Sequence, residues 1–358
     1  MGAFYGAGSR LLVTGGGTGG HVIPAIELAR AHRERAGAPV FYAGGAGSLE
    51  ARLADSAHIP FFPVSAGGFV GKRLLEKLDG LRKMAAGLPE ALMILRKTRP
   101  DLVIGTGGYV QVPVVLAARL FGVPVVLLEP NRVPGLANRI LRPLALRTVV
   151  AGKSGREGGG IPVAPGVRGA APLPERFLVN PPRILVMGGS QGARTINRKI
   201  PEIFGELRNF PVGPIEILHQ SGERWVDETR EAYRRSGIPA RVEGFLPGLS
   251  GRFSGQTLVI ARAGAMTIAE LTGSGTPAIY IPFPHSAGRH QEMNALSLEK
   301  EGGGWTWEED RLEDPGVCAE DLARILGDRE GLYAVAKNAW GQSPAVPADE
   351  WLQAMEKQ

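Results

Sequence analysis

The chain has 358 residues, 44% of them hydrophobic, a formal net charge of +6 and a single cysteine, Cys318. That length exceeds one ordinary core and fits two domains, the composition excludes wholesale disorder, and one cysteine excludes both an internal disulfide and a Cys-rich zinc site. No apolar run before Leu11 is long enough for a signal peptide, and the longest apolar region, Val112 to Leu128, is broken by Arg119, Gly122 and Pro124, so a cytoplasmic protein without a membrane span is expected.

The first predicted element is the strand Leu11–Val13, which runs into Gly15-Gly16-Gly17-Thr18-Gly19-Gly20-His21 and then an apolar-periodic helix (Ile23, Ile26, Leu28, Ala29). Glycines let backbone approach a ligand, and the helix start adds unpaired N–H groups and a positive dipole end. An anion or a sugar-phosphate suits that turn, and His21 is the one residue in it able to take a proton near neutral pH. A plain helix-capping turn with a solvent histidine has the same pattern. Gly15, Gly17 and Gly20 also satisfy the dinucleotide fingerprint, but the next strand, Val40–Ala43, ends in Gly44-Gly45 without the acidic residue that a ribose requires. That demotes a dehydrogenase.

Further strands are predicted at Phe61–Val64, Leu102–Ile104, Val123–Leu128 and Arg147–Val150, with helical patterns between them, which makes a parallel sheet with crossover helices. Gly105-Thr106-Gly107-Gly108-Tyr109 is a second Gly-rich turn, and Glu129-Pro130-Asn131 closes a third strand. All of these should line the carboxyl edge of one sheet. Between Lys72 and Arg99, eight basic residues face three acidic ones, a local charge of +5. Leu74, Leu78 and Leu81 make one helical stripe there, led by Phe69 and Val70 and flanked by Lys72, Arg73, Lys77, Arg82 and Lys83. This stretch is read either as a helix packed on the sheet with a solvated basic face, or as a docking face for anionic phospholipid. Few aromatics interleave with the charges, which disfavours nucleic acid.

From Ala151 to Pro182 glycines and prolines leave no room for a long helix, so an interdomain connection is expected there, with at most a short strand. Gly152-Lys153-Ser154 imitates the end of a P-loop, but Arg147 stands where its first glycine belongs. A second strand-turn-helix unit follows: Arg183–Met187, Gly188-Gly189-Ser190-Gln191-Gly192-Ala193, and a helix from Arg194. Strands are then predicted at Ile215–Leu218, Arg241–Val242, Leu258–Ile260 and Ala278–Ile281. After Leu258–Ile260, Arg262-Ala263-Gly264-Ala265-Met266-Thr267 opens a helix whose Glu270 can accept two hydrogen bonds from a cis-diol, or can simply complement the helix dipole. Gln291 and Asn294 share a helix face and suit sugar hydroxyls.

These motifs, with His219-Gln220-Ser221-Gly222, occur in the order of one family. From Leu11 to at least Leu298 the chain resembles the bacterial peptidoglycan glycosyltransferases commonly called MurG. The resemblance implies an α/β GT-B fold, two Rossmann-like domains with parallel sheets facing each other across a cleft. It places an acceptor and membrane-facing domain at 1–168, a UDP-GlcNAc domain at 169–343, and a last helix, about 344–358, back on the first. It implies transfer of N-acetylglucosamine from UDP-GlcNAc to the C4 hydroxyl of the muramyl sugar of lipid I, with inversion, giving lipid II, by a peripheral enzyme on the cytoplasmic face of the plasma membrane. No metal or other cofactor is implied, and no Asp-x-Asp motif is present.

By resemblance, Ser190 and its turn contact the diphosphate, and Phe245-Leu246 hold the uracil through backbone groups. Ala265, Met266 and Thr267 line the phosphate and sugar, Glu270 meets the ribose, and Gln291 and Asn294 meet the GlcNAc. Thr18, Gly19, Gly20, Asn131 and Arg168 match donor-contacting positions, and Tyr109 and Arg262 fall within the matching motifs. His21 matches the proposed base, with Glu129 as second candidate. Two departures stand out: Leu128-Glu129-Pro130-Asn131 where members show His-Glu-Gln-Asn, and Ala164-Pro165-Gly166-Val167-Arg168 where they show Asn-Pro-Val-Arg. The alternatives are another GT-B enzyme of UDP-sugars (a glycolipid glycosyltransferase or a UDP-GlcNAc 2-epimerase) and a non-catalytic scaffold that binds lipid I.

Overall fold

A computed structural model describes residues 6, 8–68, 74–131, 134–150, 159–189, 191–246 and 248–356. The chain divides into two compact units, residues 1–165 with 344–358, and residues 166–343.

The first unit alternates β1 (Leu11–Thr14), α1 (Gly19–Ala36), β2 (Val40–Gly44), α2 (Leu49–Ser56), β3 (Phe61–Pro63), α3 (Leu74–Thr98), β4 (Leu102–Gly105), α4 (Gln111–Leu120), β5 (Val125–Glu129), α5 (Leu136–Leu141) and β6 (Arg147–Val150), followed by the short β7 (Ile161–Val163). Its six-stranded parallel sheet has the order β3-β2-β1-β4-β5-β6. Side chains on a strand alternate between faces, and β1 shows the consequence. Leu11 and Val13 join the α1 side of the core, while Leu12 joins the side covered by α3 and α4. Both faces are covered, which explains strands that read as unbroken apolar runs. Local chemistry sets the helix ends. Gly37, with φ 57°, closes α1 through its N–H to the Arg33 carbonyl, and the Ser48 hydroxyl accepts from Ala51 N–H at the start of α2.

The second unit repeats the plan: β8 (Arg183–Met187), α6 (Arg194–Glu206), β9 (Glu216–Gln220), α7 (Val226–Ser236), β10 (Arg241–Glu243), a 3-10 turn at Leu249–Gly255, β11 (Leu258–Ala261), α8 (Ala265–Gly273), β12 (Ala278–Tyr280), α9 (His290–Lys300), β13 (Trp305–Thr306), α10 (Pro315–Gly327) and α11 (Arg329–Gly341). The order β10-β9-β8-β11-β12-β13 is the same doubly wound arrangement. Ile184 and Val186 pack with α6 and α10, and Leu185 and Met187 with α8 and α9. The chain then adds β14 (Ala345–Pro347), paired in parallel with β7, and α12 (Ala348–Glu356), whose Trp351, Leu352 and Met355 complete the α1 side of the first core.

Several predicted strands shift at their ends. Val123 lies outside β5 because its N–H closes α4 on the Ala118 carbonyl, 2.9 Å away. β9 runs on to Gln220 because it pairs with β8 as far as Met187. The two-residue β13 and the three-residue β14 are too short to leave a period in the sequence. The division between units falls before Gly166, so Arg168 belongs to the second unit and not to the expected first domain; its guanidinium lies 4.4 Å from the Trp340 ring centre and donates to the Trp340 carbonyl at 2.7 Å.

Candidate active site

In each sheet the strand order reverses between two strands, β1 and β4 in the first unit and β8 and β11 in the second. Ligands of open α/β sheets collect at the carboxyl ends of strands beside that reversal. Gly-rich turns follow β1, β4 and β8, and a turn of small residues follows β11.

In the first unit, the turns after β1 and β4 interlock. Gly16 N–H donates to the Gly107 carbonyl at 3.2 Å, Thr106 N–H to the Thr14 carbonyl at 2.8 Å, and the Thr106 hydroxyl to the His21 carbonyl at 2.7 Å. Gly107 and Gly108 have φ of 115° and 81°, and a Cβ on Gly108 would lie 2.3 Å from the Gly16 oxygen. Only glycine fits there. Thr18 caps α1 without a side-chain bond, and among the described residues nothing accepts from the Gly19 or Gly20 amide. The half-buried His21 turns its Nδ1 to the Gly16 carbonyl at 3.1 Å, with the Thr18 hydroxyl 3.3 Å away. The edge of the ring carrying Cδ2 and Nε2 lies against Gly107. Tyr109 is half-buried in the same turn.

Glu129, at the end of β5, is 1% exposed, and four donors surround it. Oε1 accepts from the Asn131 backbone at 3.0 Å and the Asn131 amide at 3.1 Å; Oε2 accepts from Gly135 N–H and the Asn138 amide, both at 2.9 Å. The network continues to the second turn, because Asn138 accepts from Gln111 at 2.6 Å and Gln111 accepts from Gly107 N–H at 2.9 Å. Glu129 therefore ties the third strand end to the turn that carries Gly107. Neither Gln111 nor Asn138 stands out in the sequence, since the amides meet only after the sheet has formed.

In the second unit, the turn after β8 locks against the end of β9. A Cβ on Gly192 (φ 73°) would lie 1.8 Å from the Ser221 carbonyl, and one on Gly222 (φ 84°) 2.5 Å from the Gln191 carbonyl. His219 sits beneath them, fully buried between Asn197 Oδ1 and the Tyr233 hydroxyl, each at 3.0 Å. Burial lowers its pKa to about 3, so it is a neutral structural pillar. Asn197 in turn donates to the Ser221 carbonyl at 2.8 Å.

After β11, Gly264 leads into α8 without a side-chain cap, so Ala265, Met266 and Thr267 place first-turn amides at the carboxyl edge of the sheet. Glu270 is half-buried one turn further on. Leu246 is buried and Phe245 is 51% exposed, just beyond β10. On α9, Gln291 accepts from Phe283 N–H at 3.0 Å, whereas Asn294 is 6% exposed with an Nδ2 that finds no acceptor among the described residues. A buried amide left without an acceptor is costly unless a ligand supplies one. Arg262 plays a scaffold part: it pairs with Glu309 at 2.5 Å and donates to the Ile281 and Pro282 carbonyls at 3.2 and 3.1 Å.

The sequence-predicted residues thus gather at two carboxyl edges. Thr18, Gly19, Gly20, His21, Tyr109, Glu129 and Asn131 lie at the first; Phe245, Leu246, Arg262, Ala265, Met266, Thr267, Glu270, Gln291 and Asn294 at the second. Arg168 stands apart on Trp340. Ser190, Phe69, Lys72 and Arg73, and the side chains of Leu74, Lys77 and Leu78, lie outside the described parts. Leu81 is on α3 and 60% exposed. Among the described residues no helix is long and apolar enough to cross a membrane.

Residues 11–150 match the glycosyltransferase family 28 N-terminal domain, and residues 183–350 match the glycosyltransferase family 28 C-terminal domain. A UDP-N-acetylglucosamine–N-acetylmuramyl-(pentapeptide) pyrophosphoryl-undecaprenol N-acetylglucosamine transferase of Acidovorax sp. (strain JS42) is 37% identical over 336 residues, 92% of this chain and 82% of that relative. One of the same description from Syntrophotalea carbinolica is 36% identical over 354 residues, 96% of this chain and 97% of the relative. Among solved structures, Acinetobacter baumannii MurG is similar at a TM-score of 0.80 and 27% identity, covering 98% of this chain and all of that one. The spinosyn rhamnosyltransferase SpnG, at 0.67 and 18% identity over 98% of this chain and 100% of its own, shares the fold.

Proposed function

The chain belongs to glycosyltransferase family 28, among its N-acetylglucosaminyl transferases of the muramyl-pyrophosphoryl-undecaprenol acceptor, and from that premise we propose how its residues divide the reaction. It has the two-domain GT-B fold and is a UDP-GlcNAc-dependent transferase that converts lipid I to lipid II. The C4 hydroxyl of the muramyl sugar attacks C1 of GlcNAc, inverting that centre, and UDP departs with the bonding pair.

His21 is the base that takes the hydroxyl proton. The observation that carries this is its hydrogen bond to Gly16, 3.1 Å long. A carbonyl oxygen only accepts, so this bond favours the proton on Nδ1 and the lone pair on Nε2. A base so positioned contributes roughly 10²–10⁴-fold. The amides of Gly19 and Gly20 offer donors to substrate oxygens beside it, with Thr18, Tyr109 and Asn131. Glu129, its four acceptor sites filled, shapes the loop around Asn131 and does not take the proton. In the second unit, the Gly188–Ala193 turn, with Ser190, and the first turn of α8 stabilise the diphosphate as negative charge grows on it. Glu270 accepts from the ribose, the backbone of Phe245-Leu246 reads the uracil, and Gln291 and Asn294 hold the GlcNAc.

The acceptor is a membrane lipid, and we place docking on the first unit, peripherally on the cytoplasmic face. Leu81 and Met93 on α3 and Leu120 and Phe121 at the end of α4 are exposed, and Arg96 lies 5.8 Å from the Phe121 ring centre. Of these, Leu81 lies within the basic stretch Lys72 to Lys83, which supplies the charge. The deciding assay uses UDP-GlcNAc and a lipid I analogue, with the disaccharide product identified by mass. No disaccharide, or epimerised UDP-sugar alone, would overturn the reading.

A further inference from the structure

We infer that Arg176 is a positioning residue of the donor site, a clamp that fixes the uracil-holding segment against the ribose-holding helix without touching the nucleotide. The inference rests on the donor assignment proposed above. Arg176 stands on a 3-10 turn (Pro174–Leu178) ahead of β8. Its Nη1 donates to the Ser274 and Gly275 carbonyls at 3.0 and 2.9 Å, at the end of α8. Its Nη2 donates to the Phe253 carbonyl at 2.9 Å, the Gln256 carbonyl at 3.0 Å and the Thr276 hydroxyl at 2.7 Å. One planar cation thus joins the Leu249–Gly255 turn to the end of α8.

Two features set this contact apart from an ordinary surface arginine. Among the described residues no carboxylate pairs with it, and burial brings its pKa down to about 10, so it stays charged and is compensated by carbonyls, two of them at the negative end of the α8 dipole. Beside the Thr276 hydroxyl, which donates to the Phe253 carbonyl at 3.0 Å, its fork supplies the directional bonds of a contact that is mainly apolar: Leu246, Phe253, Ile268 and Leu271 share one cluster, which fixes distance but not register.

The function follows from covalent geometry. Base and ribose of a nucleotide are joined by one bond, so the groups that read them must keep a fixed offset. The uracil segment Phe245–Leu246 leads into the clamped 3-10 turn, and the first turn and Glu270 belong to the clamped helix. Nine residues of helix span about 13 Å, so the clamp sets the offset from the far end of α8.

Steady-state kinetics of the full chain with UDP-GlcNAc and a lipid I analogue test this. Arg176→Ala should raise the donor KM by about tenfold or more, because hydrogen bonds to a charge are lost. The kcat and acceptor KM should hold within about twofold, the pattern of lost uniform binding of the donor. Added guanidinium chloride at millimolar levels should recover part of the donor KM. Arg176→Lys should resemble the alanine variant, since an ammonium cannot serve five acceptors. If Arg176→Ala does not fold, Arg176→Lys and the milder Thr276→Val carry the same reading. Glu270→Ala separates the two claims: a raised donor KM there with an unchanged one in the Arg176 variants overturns the clamp alone. If neither moves the donor KM, the donor assignment fails and the clamp with it. A parallel loss of kcat and both KM values, without guanidinium rescue, reduces Arg176 to general stability and also overturns the clamp.

Discussion

Gly107→Ala is the sharpest probe of the His21 assignment, because the added methyl is aimed at the imidazole. A Cβ at this position would lie 2.5 Å from His21 Cδ2 and 2.8 Å from Nε2. Ordinary contact requires the ring to withdraw by roughly 1 Å. A misplacement of about that size costs on the order of 10²-fold in rate, or about 2.7 kcal/mol of barrier. The backbone adds a separate burden, since φ of 115° in a residue with a Cβ costs about 1–3 kcal/mol of stability. Kinetics and calorimetry on a double-mutant cycle separate the two. Gly107→Ala should lower kcat about 10²-fold while UDP affinity, assigned above to the second unit, stays at the parent value. His21→Ala should lower kcat by roughly 10²–10⁴-fold. The double variant should be no slower than His21→Ala, because a displaced ring and an absent ring fail alike. Multiplicative losses in the double variant, or a Gly107→Ala enzyme with parental kcat, would refute the placement of the base.

Glu129→Gln should destabilise the protein by about 1–3 kcal/mol in urea, since an amide cannot accept from all four donors, and should leave the pH dependence of kcat in place; a fully stable variant with an altered pH profile would make Glu129 the base instead. For His219, the folded pKa of about 3 lies below the ordinary 6.5, so the stability from its neutral form is complete above pH 6.5 and is lost as pH falls toward 3. Between pH 6.5 and 4.5 that amounts to about 2 kcal/mol, and His219→Gln, compared by urea unfolding at both pH values, should lack this component. Binding to phosphatidylglycerol vesicles should fall with salt and in Lys72→Glu/Arg73→Glu/Lys77→Glu, each charge contributing about 1 kcal/mol; equal sedimentation of parent and variant would remove this stretch from the membrane face.

The two α/β units were legible because each buried strand is a short apolar run that stops at glycines. Leu11–Val13 and Arg183–Met187 declare both the strand and the turn, since only backbone without side chains can follow them so closely. What was not legible depends on partners far along the chain. Glu129 reads as a candidate base, but three of its four donors come from a loop whose fold the sequence does not announce, and the fourth, Asn138, from the short helix after it. Arg168 matched a donor position in the motif, yet its guanidinium rests on Trp340, 172 residues away. Arg176 has no signature in the sequence, because four of its five acceptors are backbone carbonyls, which every sequence has and none displays.

The return of β14 and α12 to the first unit has a consequence for synthesis. The second unit is one continuous stretch, 166–343, whereas the first is split around it. At about 5–20 residues per second, roughly 10–40 s pass on the ribosome between Pro165 and Pro344. Throughout that interval the α1 side of the first core lacks Trp351, Leu352 and Met355, and β7 lacks its partner strand. The half of the molecule that is translated first is therefore sealed last, after the second unit has had time to fold. A nascent chain halted near residue 343 should yield a protease-resistant second unit beside a first unit that is still readily cut.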